Sequence, residues 1–170
     1  LQGVEGVVAD LIRTGSRYRL AVETALGTSA QDVVTRDQDT AREAIGYLKE
    51  IRGGRATFLP LDTIVPRPLK GEFREVLSLD GVLGTAAGLI EFEEKYRPAV
   101  ENLLGSVVVA RDLDAAMAAS AACRRSVRVV TLEGDVISPG GSMSGGSVRT
   151  GQSGILARKV TLEELAGEIS

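Results

Sequence analysis

The chain repeats itself, and that constrains its fold more than any other feature. Set against Gly81–Gly105, the stretch Gly3–Gly27 matches at 13 of 25 positions, an offset of 78. The shared positions include Gly3/Gly81, Gly6/Gly84, Leu11/Leu89, Ile12/Ile90, Tyr18/Tyr96, Glu23/Glu101 and Gly27/Gly105. After a three-residue shift, Val33–Asp39 parallels Val108–Asp114. A further shift aligns Phe58–Asp62 with Val129–Glu133 by residue type. A period near 75 is too long for a solenoid unit. It predicts two related subdomains about a pseudo-twofold axis.

Each copy reads alike. A glycine-punctuated apolar segment opens it. A helix follows, its stripe formed by Tyr18, Ala21, Val22, Ala25 and Leu26, or by Tyr96, Ala99, Val100, Leu103 and Leu104. That spacing puts one apolar face on one side of a helix. The two tyrosines belong to those stripes and are expected in or beside the core. Gly27 and Gly105 are expected to stop the helices at the C′ position, and Pro98 suits a first turn. A Val-Val strand comes next. Asp37 and Asp112 can then cap a second helix, because a carboxylate accepts the free first-turn N–H groups. Those helices carry Ala41, Ala44, Ile45 and Leu48, and Leu113, Ala116, Met117, Ser120 and Ala121. Gly53-Gly54 should end the first of them. Strands at 56–59 and 127–132 close the copies. The fold class is α+β, with small mixed sheets and flanking helices. The divisions are 1–65, a connecting loop 66–80, 81–154, and 155–170. Pro66, Pro68 and Gly71 mark the connection as an exposed loop.

Composition excludes several chemistries. With 44% hydrophobic and 25% charged residues, the 170-residue chain has a globular balance, not a disordered one. No histidine is present, so no Ser-His or Cys-His nucleophile can form within it. The single cysteine, Cys123, allows neither an internal disulfide nor a cysteine-rich zinc site, and is expected to be a small buried apolar residue. Paired acids such as Glu93-Glu94 and Glu163-Glu164 read as solvated faces, so no catalytic and no metal residue is assigned. Uncharged runs such as Gly81–Ile90 are about half the length of a membrane span, and no signal pattern opens the chain.

Net charge is −3, so the overall field does not seek nucleic acid. Three basic clusters are local exceptions. Arg124, Arg125 and Arg128 lie in an acid-free span; Lys49, Arg52 and Arg55 form a second cluster, and Arg67, Lys70 and Arg74 a third. The first two are the candidate DNA-contacting residues.

From Gly134 to Gly154, seven of 21 residues are glycine. No GxxxxGK string occurs there, which argues against a phosphate loop. Val136, Ile137, Met143 and Val148 argue against a plain linker. The remaining reading is close backbone approach, with a strand poor in side chains receiving another chain at its edge. Gly140, Gly141, Ser142, Met143, Gly145 and Gly146 are the candidate dimer-interface residues. Beyond them, Ile155, Leu156, Val160, Leu162, Leu165 and Ile169 alternate with charges, and Thr161 with Glu164 fits a capping box. This predicts the beginning of a longer coiled coil.

Several strings together resemble the hinge domain of SMC (structural maintenance of chromosomes) proteins, in particular a prokaryotic one. They are Gly3–Ile12, Ala25-Leu26-Gly27, Ala44–Lys49, Gly54–Leu61 and Val130–Gly146. The resemblance implies a two-subdomain hinge at the apex of two antiparallel coiled-coil arms, joining two protomers into a ring-like homodimer. It places the glycine-rich segment at the dimer interface. It implies that ATP is bound by a separate head domain absent from this chain, which itself needs no cofactor. It also implies weak non-specific DNA contact, no membrane, accessory subunits for the longer protein, and a cytoplasmic, nucleoid-associated role in chromosome condensation and segregation. The alternative from a different class is a free-standing small α/β ligand-binding or enzyme domain.

Overall fold

The computed structural model describes residues 2–147. The expected arm start at 155–170 lies outside the described residues. In chain order the elements are β1 (Val4–Val7), α1 (Val8–Leu11), β2 (Ile12–Arg13), α2 (Arg19–Leu26), β3 (Val33–Thr35), α3 (Gln38–Ile51) and β4 (Phe58–Pro60). After a connection come β5 (Val82–Thr85), β6 (Glu91–Phe92), α4 (Arg97–Leu104), β7 (Val108–Ala110), α5 (Leu113–Ala122), β8 (Val129–Thr131), β9 (Val136–Ile137) and β10 (Met143–Ser144).

The two halves share one topology. The first sheet runs β1-β3-β4, with β1 antiparallel and β4 parallel to β3. The second begins β5-β7-β8 with the same directions and continues through antiparallel β9 and β10. Register repeats too. Val33 faces Phe58 as Val108 faces Val129, the equivalence read from the sequence. Both opening strands slip register, between Val4 and Gly6 and between Val82 and Gly84. At these bulges Gly6 has φ +140° and Gly84 φ +143°, and Leu11 and Leu89 lie where a Cβ would point. Those two identities in the repeat, Gly6/Gly84 and Leu11/Leu89, are therefore two copies of one contact.

The pseudo-twofold axis is visible in the smallest sheet. β2 and β6 pair antiparallel, with Arg13 opposite Glu91. These positions are 78 apart (91 − 13), so each residue faces its own counterpart across the axis. The shared core lies beside it. Ala21, Val22 and Ala25 of α2 join Ala99, Val100 and Leu104 of α4 in one buried cluster with Val34, Leu59, Val109 and Val130. Tyr96 is buried and Tyr18 half-buried in the same cluster, as their stripes require.

Both aspartate caps form. Asp37 accepts from the Thr40 N–H at 2.8 Å and Asp112 from the Ala115 N–H at 2.8 Å. Cys123 is fully buried, and burial pushes its thiol pKa up.

Three expectations are corrected. The connection is not a plain exposed loop: Leu69, Phe73 and Val76 are buried in a second cluster with α5 and β7, and Gly71–Ser78 winds as a 3₁₀ segment. Gly105 ends α4 as expected, with a right-handed φ of −66°. Its glycine is needed for space, since a Cβ would lie 2.5 Å from the Glu101 carbonyl oxygen and 2.7 Å from that of Arg67. Helix α3 ends on a left-handed Arg52, φ +51°, one residue before the glycine pair. Finally, Leu113 and Met117 are exposed, and α5 buries Ala115, Ala116, Ala119 and Ser120 instead. An alanine-rich helix offers small side chains on every face, so its largest residues do not mark the buried one.

Candidate dimer interface

Strand β10 is the outer edge of the second sheet. Ser138 N–H donates to the Ser142 carbonyl at 2.8 Å, which makes 138/142 a hydrogen-bonded pair. Met143, paired with Ile137, is then in a non-bonded position, so its own N–H and C=O face away from the sheet. Among the described residues no strand lies beyond it. Ser142, Met143, Ser144, Gly145 and Gly146 are all exposed.

The glycines of this segment serve the protomer itself. Gly140 and Gly141 form the β9–β10 turn at φ +93° and +104°. Gly141 N–H donates to the Ser138 carbonyl at 2.9 Å, and Gly140 N–H to the Arg125 carbonyl at 2.7 Å. A Cβ on Gly145 would run into the Asp135 carboxylate. That carboxylate is held by the Thr131 hydroxyl at 3.1 Å. Gly146 has φ +128° with open space around it. By sequence alone these glycines read as absent side chains on a strand. In the structure they shape an exposed hairpin edge.

The first sheet has an edge of its own at β4. Thr57 C=O accepts from Val33 N–H and Leu61 N–H donates to Thr35 C=O, both at 2.9 Å. Those groups face β3, so the N–H and C=O of Phe58, between them, face outward. Its counterpart β8 has the same edge covered in cis by antiparallel β9. Phe58 was missed as a functional candidate. The repeat alignment carried the signal, because nothing like 134–146 follows Leu61 before Pro66.

The basic candidates flank these edges. Arg124 and Arg125 are left-handed, φ +54° and +55°, in the loop that leaves α5 and supports the glycine turn. Arg125 Cδ lies 3.6 Å from the Cβ position of Gly141. Arg128 is exposed just before β8. Lys49, Arg52 and Arg55 are exposed between the end of α3 and β4. None of the six has a carboxylate within ion-pair distance among the described residues. The structure keeps the two clusters apart, one per half. Arg55 also lines a shallow cleft of about 290 Å³ with Asp32, whose carboxyl pKa burial raises. Among the described residues no group of three or more acids or cysteines could hold a metal, and no helix is long and apolar enough to cross a membrane.

Residues 1–120 match the model of the SMC protein flexible hinge domain. The chain is 43% identical over 171 residues to the chromosome partition protein Smc of Bacillus subtilis, covering 100% of this chain and 14% of that protein. It is 40% identical over 169 residues to the Smc of Halothermothrix orenii, covering 99% of this chain and 14% of that one. Among solved structures, an asymmetric dimer of the Geobacillus stearothermophilus SMC hinge domain superposes with a TM-score of 0.83 at 41% identity, over 98% of this chain and 66% of that one. The Pyrococcus furiosus SMC hinge domain gives 0.74 at 34%, over 91% and 78%. The chain thus spans about one seventh of its curated relatives, at 14%.

Proposed function

The chain belongs to the SMC hinge family, and from that premise we propose that it joins two copies of itself by pairing the β10 edge of each protomer with the β4 edge of the other. One observation carries this reading: β8 has its outer edge covered by an antiparallel strand and, among the described residues, its counterpart β4 does not. A partner strand supplies what the first half lacks. Two unlike edges per protomer close into a twofold dimer with two copies of one contact. The structure of a dimeric hinge from Geobacillus stearothermophilus supports a dimer. Gly140, Gly141, Ser142, Met143, Gly145 and Gly146 then present the edge, and Phe58 receives it.

In this reading the module is mechanical. It has no catalytic residue, takes no cofactor, and leaves ATP to other parts of a longer chromosome-partition protein. Residues 1–65 and 81–154 act as its two subdomains, joined by 66–80, with 155–170 leading into an arm. Arg124, Arg125, Arg128, Lys49, Arg52 and Arg55 offer weak, salt-dependent contact to chromosomal DNA in the cytoplasm. Accessory subunits act on the longer protein, not on this piece.

Met143→Pro tests the interface. It removes one outward N–H and leaves the hairpin's own hydrogen bonds intact. Proline has no N–H to give a strand ladder, and symmetry applies that loss twice. Wild-type sedimentation should give twice the 17.9 kDa chain mass and the variant the single mass, with circular dichroism unchanged. A variant that stays dimeric would refute the β10 assignment.

A further inference from the structure

The segments that lead from β2 into α2 and from β6 into α4 are counterparts in the repeat, yet their charges disagree. Arg13, Gly15 and Ser16 stand where the second half has Glu91, Glu93 and Glu94. From Leu11 to Val22 the chain carries three cations, Arg13, Arg17 and Arg19, and no acid. From Leu89 to Val100 it carries three acids and two cations, and both cations are engaged. Lys95 Nζ lies 3.0 Å from Glu5 and 3.9 Å from Glu93, and Arg97 pairs with Glu94 and Glu101. Among the described residues Arg13, Arg17 and Arg19 have no carboxylate within ion-pair distance. Arg17 lies over its neighbour Tyr18, 5.5 Å from the ring centroid.

The acids gather on the other side of the β2–β6 pair. Asp10, Glu91 and Glu93 line a cleft of about 320 Å³ in which Arg13 is the single cation. Arg13 also borders a second cleft, of about 380 Å³, which it shares with Arg19. It therefore marks the seam between an acidic and a basic side. Asp10 stands where the second half has Gly88, which sharpens the split. All six side chains, Asp10, Arg13, Arg17, Arg19, Glu91 and Glu93, are exposed.

We propose that this face is a self-complementary contact between two copies of the chain, separate from the β10 and β4 edges. A second copy laid face to face and turned end for end brings Arg13, Arg17 and Arg19 of each copy over Asp10, Glu91 and Glu93 of the other. One twofold then makes two equal sets of contacts. Complementary charge fixes that orientation and opposes the one that sets like charges together. The same acids argue against nucleic acid as the occupant, since a phosphate backbone crossing the face meets three carboxylates. Exposed ion pairs are individually weak and screened by salt, so the contact forms at low ionic strength and dissolves at high.

Sedimentation of the full chain at two salt concentrations tests this. The mass at about 10 mM salt, where the screening length is about 30 Å, should be twice that at about 1 M, where it is about 3 Å. The ratio reads the same whether the high-salt species is the edge-paired dimer or a monomer, and the absolute mass at high salt reports on edge pairing separately. Two variants sharpen the result. Arg13→Glu with Arg17→Glu and Arg19→Glu removes the basic side; Asp10→Lys with Glu91→Lys and Glu93→Lys removes the acidic side. Circular dichroism should match the wild type for both, because every changed side chain is exposed. Neither variant alone should double in mass at low salt, and their equimolar mixture should, because each supplies the side that the other lacks. A wild-type mass that does not change with salt, a doubling by either variant alone, or a mixture that fails to associate overturns the proposal.

Discussion

The two halves of this molecule fold by the same rules and are finished differently. The second half has β9 and β10 outside β8, and Gly71–Ser78 outside α5. Among the described residues the first half has neither: its β4 edge is open and Val4, Tyr47 and Ile51 are exposed. A duplicated unit needs both flanks of its sheet closed, because an unpaired edge and an apolar face are liabilities in water. Where one copy is closed in cis and its twin is bare, the bare copy indicates what the rest of the assembly must bring. The difference between the halves is therefore more informative than their likeness.

The largest contrast lies in the covering layer. Phe73 is 7% exposed and Tyr47, on the matching face, is 54% exposed. Phe73→Ala should lower unfolding stability by about 3–5 kcal/mol. In a protomer whose first half is uncovered, Tyr47→Ala should cost under about 0.5 kcal/mol. Denaturant titration of both variants checks the pair. A loss at Tyr47 comparable to that at Phe73 would mean that this face of α3 is covered in solution.

A smaller contrast separates the two caps. The Asp37 carboxyl pKa is lowered chiefly by the Thr40 hydroxyl and then by the Thr40 N–H. That of Asp112 is lowered chiefly by the Ala115 N–H, with no hydroxyl to add. A group whose folded pKa is depressed gives stability that is present above its unfolded value, about 3.9, and is lost as pH falls through the folded value. Asp37→Ala should lower the melting temperature at pH 7 more than Asp112→Ala does. Both deficits should shrink toward zero as pH falls below about 4. A deficit that persists in acid would mean that the caps act through packing and not as ionised acceptors.

Much of this was legible in the sequence because the repeat gave each position a second reading. Asp37 and Asp112 stand before helices in both copies and cap both. Gly6 with Leu11 and Gly84 with Leu89 are identities because each pair is one contact. What was illegible came from residues whose reason is tertiary. Gly105 stops a helix, as it looks to do, but it also makes room for the Arg67 carbonyl. Leu69, Phe73 and Val76 look like loop residues between prolines until α5 is placed beneath them. Gly140 and Gly141 looked like a bare strand, and backbone dihedrals alone show a turn. Phe58 could not be seen as an edge residue, because strand order is not written in a strand's own residues. Arg52, Arg124 and Arg125 hold left-handed positions that glycine would occupy at lower cost, and local propensity gives no hint of them.

The most direct test of the edge-pairing account is amide hydrogen exchange at Phe58 and Met143, read against protein concentration. Both N–H groups face outward from strands and have no partner among the described residues. The account predicts that both are protected in the dimer and that both lose protection together on dilution or in Met143→Pro, where Phe58 reports alone. A dimer in which Phe58 and Met143 exchange freely at every concentration would contradict it.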